Sequence, residues 1–195
     1  MGSVLTHAVV SVDGYIADAS DDIGPLFDWY YNGDTPLRSK QGFGSKVSRV
    51  SAEYTQPMWD DIGTTVIGRH LFDITNGWEA TPPAGEHVVV VSRRPRPEGW
   101  HPEASHYHFI DDVAAAIAKA KDLAGDRTVA VSAGDVAGQA MALGLVDEVA
   151  MDVVPVVFGS GKRYFGSLDS QCLLEDPHVV IRGDRVLHLR YLVRR

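Results

Sequence analysis

Short, almost unbroken apolar runs at residues 64–67, 88–91, 106–110, 128–131 and 149–157 constrain this chain more than any other feature. Runs this brief and this continuous read as strands covered on both faces, not as the alternating strands of a half-exposed sheet. Helical periodicity separates several of them. Residues 111–125 open on Asp111 or Asp112 as N-cap, carry Val113, Ile117, Ala120 and Leu123 along one side, and stop at Gly125. Residues 135–144 have the same form, and part of 51–62 reads as a further helix whose limits Pro57 leaves open. Buried strands alternating with helices predict an α/β domain.

The ends complete the outline. Residues 4–18 read as a first strand, an Asp13-Gly14 turn and a second short strand at 15–17. The tail, 178–193, reads as a hairpin around Gly183-Asp184 that adds antiparallel strands at one edge. Residues 18–50 are rich in Asp, Gly, Pro and Ser but interrupted by an aromatic cluster at 26–31. A segment of that length is usually functional, and 18–44 suits a lid that excludes water. The expectation is one three-layer domain over 1–195, with a mixed, mostly parallel sheet and helices on both faces.

Composition then excludes function classes. The net charge is −8 and no Lys/Arg run forms a basic face, which argues against a nucleic-acid binder but not against a small phosphorylated ligand. Cys172 is the only cysteine, so neither an internal disulfide nor a CxxC site is possible, and a reducing cytoplasm is expected. No run is long enough to span a membrane, and no signal peptide precedes the first strand. The opening residues fit the pattern for myristoylation of Gly2, but Val4 onward reads as core strand. His101, His106 and His108 have no partner acid or cysteine at ligand spacing, so no metal is expected.

Three strand-to-helix junctions suit a phosphorylated ligand, which in open α/β sheets binds beyond the carboxyl ends of strands. At Gly68-Arg69-His70 a buried strand opens into a helix whose first amides lack partners, and Arg69 offers a clamp. After the four valines at 88–91 come Ser92, Arg93 and Arg94, a hydroxyl and two guanidiniums suited to the 2′-phosphate of NADP. Such a contact contributes about 1.5–3 kcal/mol. At Ser132-Ala133-Gly134 small residues let a pyrophosphate approach the next helix, provided the Asp135 carboxylate turns away. Neither GxGxxG nor GxxxxGK[ST] occurs.

The ordered set SVDGYIAD, VIGRHLFD, VVVVSRRP, VSAGDVAGQ and LVDEVAMDVVPVVFGSGKRYF resembles the dihydrofolate reductase-like superfamily. The closest likeness is to its branch related to the C-terminal reductase domain of the bifunctional riboflavin-biosynthesis deaminase/reductase, and PLFDWYYNGDTP is similar to stand-alone bacterial members. The resemblance implies a mixed sheet of about eight strands, NADPH bound across strand ends, and hydride transfer to a heteroaromatic or imine-like substrate. It implies that Gly68, Arg69, His70 and Leu71 line the cofactor phosphates and that Ser92, Arg93 and Arg94 receive the 2′-phosphate. Ser132, Ala133, Gly134, Asp135 and Val136 would border the pyrophosphate or nicotinamide, and Val9, Val10, Ile16 and Ala17 the nicotinamide. The riboflavin reductases carry a lysine where this chain has His7, and an acidic residue before a double glycine where it has Val131 or Ser132. The expectation is a reductase part without their deaminase half.

Candidate proton donors follow. True dihydrofolate reductases place a carboxylate on the first helix, and Asp28 is its positional counterpart, expected to be buried beside Trp29 and Tyr30 and thereby raised into acid/base range. His7 and Asp13 are further candidates, with Phe27, Trp29 and Tyr30 on the substrate side. The expected function is NADPH-dependent reduction of a small pterin- or pyrimidine-like molecule by a homodimer. Alternatives are a non-catalytic NADP sensor or scaffold, and a flavin- or F420-dependent oxidoreductase using the same cleft.

Overall fold

A computed structural model describes residues 2–194. In chain order the elements are β1 (Val4–Ser11), β2 (Tyr15–Ala17), a 3-10 helix (Gly24–Tyr31), β3 (Thr35–Pro36), β4 (Lys46–Val47), α1 (Arg49–Asp61), β5 (Ile62–Gly68) and α2 (Arg69–Thr75). A left-handed turn (Asn76–Ala80) leads to β6 (His87–Val91), β7 (Tyr107–Ile110), α3 (Val113–Ala124), β8 (Thr128–Ser132) and α4 (Asp135–Ala142). The chain ends with β9 (Glu148–Val154), β10 (Lys162–Arg163), β11 (Val179–Arg182) and β12 (Leu187–Leu192).

Eight strands form one sheet in the order β11-β12-β9-β1-β8-β5-β6-β7. From β9 to β7 every pairing is parallel, and the C-terminal hairpin joins antiparallel through β12. Alternation along the strands divides the core. Val66, Val89, Val129 and Val131 pack under α3 and α4, while Ile67, Val88 and Val90 on the other face meet Phe72 of α2. Helices thus cover both faces of a mixed sheet, as the apolar runs predicted.

Local chemistry explains the boundaries. Asp112 caps α3 by accepting from Ala115 N at 2.7 Å, and Gly125 ends it at φ 64°. The last strand of the parallel set stops at Val154, not at 157, because Pro155 has no N–H to continue the ladder. Pro57 lies inside α1 without ending it. Ser51, Ala52, Thr55 and Met58 are buried against the sheet, and such packing, more than local propensity, holds a helix.

The 18–50 segment is anchored, not free. Leu26, Trp29, Leu37 and Val47 are buried with Val9, Ala52, Val154 and Val186, so removing residues 19–44 would take out core as well as cover.

Docking of α4 depends on Gly138, where an added Cβ would lie 2.2 Å from the Phe165 carbonyl oxygen. Gly138→Ala should therefore cost about 1–3 kcal/mol through overpacking, despite alanine's better helix propensity. A urea melt with an unshifted or higher midpoint would show that the 165–168 backbone yields instead.

Candidate active site

A cleft of about 970 Å³ runs over the carboxyl-terminal halves of β1, β5 and β8. Register decides which side chains reach it. Leu5 pairs with Ala130, His7 with Ser132 and Thr65 with Ala130, so His7, Val9, Thr65, Ile67, Ala130 and Ser132 share one face. All but Leu5 line the cleft. Val10 does not: its neighbour Val9 takes the cleft face, and Val10 is buried under α4 on the other side. Ile16 and Ala17 line the cleft, as expected of them.

One end suits an anion. Gly134 is the N-cap of α4 at φ 98°, a conformation that favours glycine, and it offers no side-chain acceptor to the first amides of the helix. A Cβ there would meet only Ile16 Cδ1, at 3.9 Å, so the cap residue itself stands in open space, while Gly166 packs closely behind Asp135. The Asp135 carboxylate turns away and accepts from Ser167 N at 3.0 Å. Ser132, Ala133, Gly134, Asp135 and Val136 all line this end, with Lys162 and Arg163 exposed beside them. These two cations were not among the sequence candidates, although they stand together within a quoted motif.

Gly68, His70 and Leu71 line the opposite lip. His70 Nε2 lies 3.0 Å from Asp21 Oδ1, and Lys162 Nζ lies 3.7 Å from the same oxygen, so Asp21 bridges the mouth. The hydrogen bond from His70 holds the Asp21 carboxyl below the ordinary range.

The arginine loop is built differently from the expectation. Arg69 folds onto the chain: its Nε donates to Asp73 Oδ1 at 2.7 Å and its Nη1 to the Pro95 carbonyl at 3.0 Å. The Ser92 hydroxyl donates to the Arg94 carbonyl at 2.6 Å and accepts from Arg94 N at 3.0 Å. Arg94 Nη2 pairs with Asp73 Oδ2 at 2.8 Å. Slight burial pushes the Asp73 carboxyl up, but the two guanidiniums outweigh it and hold it low. Arg93 is exposed with no ion pair among the described residues. None of Arg69, Ser92, Arg93 and Arg94 lines the cleft itself.

The other end is aromatic. Phe27, Tyr30, Tyr31, Phe43 and Trp59 line it, with Phe27 edge-on to Tyr30 at 5.6 Å. Trp29 is instead core, 2% exposed and stacked behind Tyr30 at 4.1 Å. Trp78 reaches the cleft on a left-handed turn in which φ runs from 47° to 60° over residues 76–80. Such a turn in non-glycine residues is costly. It is held by Tyr107 Oη, which donates to the Gly77 carbonyl at 2.7 Å.

Of the candidate proton donors, only His7 faces the cleft. Asp28 is exposed on the outside of the 3-10 helix, so the desolvation expected of it is absent: helical geometry buries its neighbour Trp29 instead. Asp13 is a turn residue. It accepts from the Ser11 hydroxyl at 2.6 Å and from Gly159 N at 2.7 Å, bonds that hold its carboxyl low and tie the turn to the following loop. His7 Nε2 lies 2.9 Å from Asp152 Oδ2, and Asp152 Oδ1 lies 2.6 Å from His188 Nδ1. Asp152 and His188 were not foreseen. The available signal was a lone carboxylate inside an apolar strand run, which must find a partner if buried. Among the described residues no group of three or more His, Cys, Asp or Glu side chains converges to hold a metal ion, and no helix is long and apolar enough to cross a membrane.

Known proteins share this architecture. A protein from Shewanella sp. PV-4 provisionally assigned to riboflavin biosynthesis superposes with a TM-score of 0.66 at 18% identity, over 99% of each chain. The diaminohydroxyphosphoribosylaminopyrimidine deaminase/5-amino-6-(5-phosphoribosylamino)uracil reductase of Thermotoga maritima gives 0.64 at 14% identity. There, 99% of this chain covers 57% of that one, little more than half its length. A pyrimidine reductase-like protein from Corynebacterium diphtheriae gives 0.58 at 15% identity, covering 100% of this chain and 92% of that one. No curated protein matches the chain by sequence. At these identities the structures establish the fold. The sequence itself, over residues 3–188, matches the family described as the RibD C-terminal domain, and the chain belongs to that reductase family.

Proposed function

We propose that the chain is an NADPH-dependent reductase, acting in the reducing cytoplasm on a small heteroaromatic or imine-like acceptor of pterin or pyrimidine type. The observation that carries this reading is the uncapped N-terminus of α4 beside Lys162 and Arg163, opening on a cleft whose far end is aromatic. Orphan amides, the positive end of the helix dipole and two cations fit a pyrophosphate. Aromatic faces fit a flat ring.

Each group of residues then has a task. The amides of α4 with Lys162 and Arg163 hold the dinucleotide's phosphates. Arg93 and Arg94 meet the 2′-phosphate, Arg94 exchanging its Asp73 partner for the ligand. Reduction of a C=N bond takes a hydride at carbon, which NADPH supplies when bound, and a proton at nitrogen. His7 donates that proton, since Asp28 and Asp13 point elsewhere. Phe27, Tyr30 and Tyr31 orient the acceptor ring, and residues 18–44 keep water out. The exposed Val180 and Leu187, on one face of the C-terminal hairpin, supply the surface for the expected homodimer.

Calorimetric titration should show saturable NADPH binding. Arg93→Ala with Arg94→Ala should weaken NADPH by about ten- to a hundredfold more than NADH, whereas Lys162→Ala with Arg163→Ala should weaken both alike. Equal losses in the first pair would remove the 2′-phosphate assignment, and indifference to both nucleotides would remove the reductase reading. With dihydropterins, pyrimidines and quinones offered in turn, absorbance of the reduced nicotinamide should fall for at least one. A purified protein that is yellow and inert to NADPH would point to a flavin instead. Phe43 projects into the cleft between Gly42 and Gly44, at φ 66° and 64°. Phe43→Ala should raise KM for the acceptor and leave nucleotide affinity unchanged; the opposite pattern would move the aromatic wall to the nucleotide side.

A further inference from the structure

The register of β1, β9 and β12 lines up three polar side chains on one face. Asp152 pairs with Val9, two residues beyond His7, and His188 lies directly opposite Asp152. Asp152 and His188 are fully buried, while His7 is 16% exposed and lines the cleft. The hydrogen bonds continue past them: His188 Nε2 to Ser51 Oγ at 2.9 Å, and Ser51 Oγ to Ser48 Oγ, the N-cap of α1, at 3.0 Å. With both imidazoles neutral, one direction for the protons is consistent. An ionised carboxylate only accepts, so both imidazoles donate to Asp152. His188, protonated on Nδ1, accepts the Ser51 hydroxyl proton on Nε2, and Ser51 accepts from Ser48. With Nε2 turned to Asp152, the Nδ1 of His7 has no hydrogen-bond partner among the described residues.

We propose that Asp152, backed by His188 and Ser51, is a positioning residue that fixes His7 as its Nε2–H form and presents Nδ1 to the cleft. The proton used in turnover would leave from Nδ1 of the imidazolium, which returns His7 to the neutral form Asp152 already holds. That use of Nδ1 rests on the reductase reading; the tautomer does not. A merely structural pair would have little reason to be ionic, since buried ion pairs are commonly replaceable by apolar residues without loss. Nor is this a proton wire. Burial raises the Asp152 carboxyl, but the charge of His7 when it is an imidazolium and the bonds from both imidazoles outweigh it and hold it at about 2, too low to take a proton from an imidazole. The other groups facing Asp152 carry no competing charge. The phenols of Tyr30, Tyr54 and Tyr164 are all raised, by burial first and then by the charge of Asp152, and Arg190 is paired with Glu148.

Nitrogen-resolved NMR of histidine-labelled protein at about pH 8, above the ordinary imidazole range, should find His7 protonated on Nε2 and His188 on Nδ1. A native His7 protonated on Nδ1, or exchanging between both forms, would overturn the proposal without any variant. Asn offers one acceptor and one donor, so in Asp152→Asn at least one of the two rings must change its protonated nitrogen; both rings unchanged in a folded variant would also overturn it. With an acceptor that supports turnover, Asp152→Asn should lower kcat on the order of a hundredfold, and the same change in a His7→Gln background should cost less than about twofold. Equal losses in the two backgrounds would make Asp152 structural only. If no acceptor or nucleotide is consumed, the reductase reading falls while the NMR result still decides the tautomer.

Discussion

The pairing of β1 on both sides, with β8 and with β9, is the constraint from which the site follows. A slip of one residue would turn His7 and Val9 into the layer under α3 and α4 and put Thr6 on the cleft face. It would also part His7 from Asp152, because their contact depends on His7 lying one pleat before the residue that Asp152 faces. The slip is opposed by apolar volume: Val4 and Val10 are completely buried on the α3/α4 side, and Leu5 and Val9 nearly so on the other. Exchanging the faces would bury His7 without its partner, at a cost of a few kcal/mol in an apolar layer. Hydrophobic patterning thus sets the geometry of a polar site.

Electrostatics works locally within a chain of net charge −8. The carboxylates near the cleft are engaged one by one: Asp135 with the Ser167 amide, Asp73 with Arg69 and Arg94, and Asp21 with His70 and Lys162. An anion arriving at α4 therefore meets amides, Lys162 and Arg163 rather than free negative charge. Asp73 has a second effect. By pinning Arg69 against the 92–95 loop it gives α2 and the end of β6 a common anchor, so that Arg93 and Arg94 are carried on a loop of defined position.

What could be read from the chain and what could not divide along physical lines. Burial on both faces leaves a signature in composition, so the valines at 88–91 and the run at 128–131 announced their strands. Asp112 and Gly125 announced the limits of α3 through capping chemistry that acts within a few residues. Long-range choices leave no such mark. Val9 and Val10 are alike as residues, and only the register says which one faces the cleft. Asp28 and Trp29 stand side by side in an aromatic run, and which of them is buried depends on a 3-10 helix docking on Ala52 and Val186. The turn of Asn76–Ala80 is stabilised by Tyr107, thirty residues away in sequence, and by packing of Gly77 under Trp100 and Phe72. Arg69 suited a phosphate by position, yet the carbonyls that engage its guanidinium come from a loop that follows the next strand.

The departure at residue 7 and the presence of Asp152 are best understood together. The riboflavin reductases that the chain resembles carry a lysine at that position. An ammonium group offers three equivalent donors on a flexible stem and requires little orientation to present a proton. An imidazole is different: its two nitrogens exchange roles with the tautomer, and a histidine without a fixed partner presents a donor or an acceptor according to its neighbours at that moment. A histidine at such a position presents one defined nitrogen only with an acceptor behind the ring. A carboxylate on the adjacent strand, one pleat further on, serves as that acceptor only if it is itself kept ionised in the core, which a second imidazole and a serine at the start of α1 achieve. The elements that hold His7 come from β9, β12 and α1, well separated in sequence, and join His7, Asp152, His188 and Ser51 in one hydrogen-bonded unit.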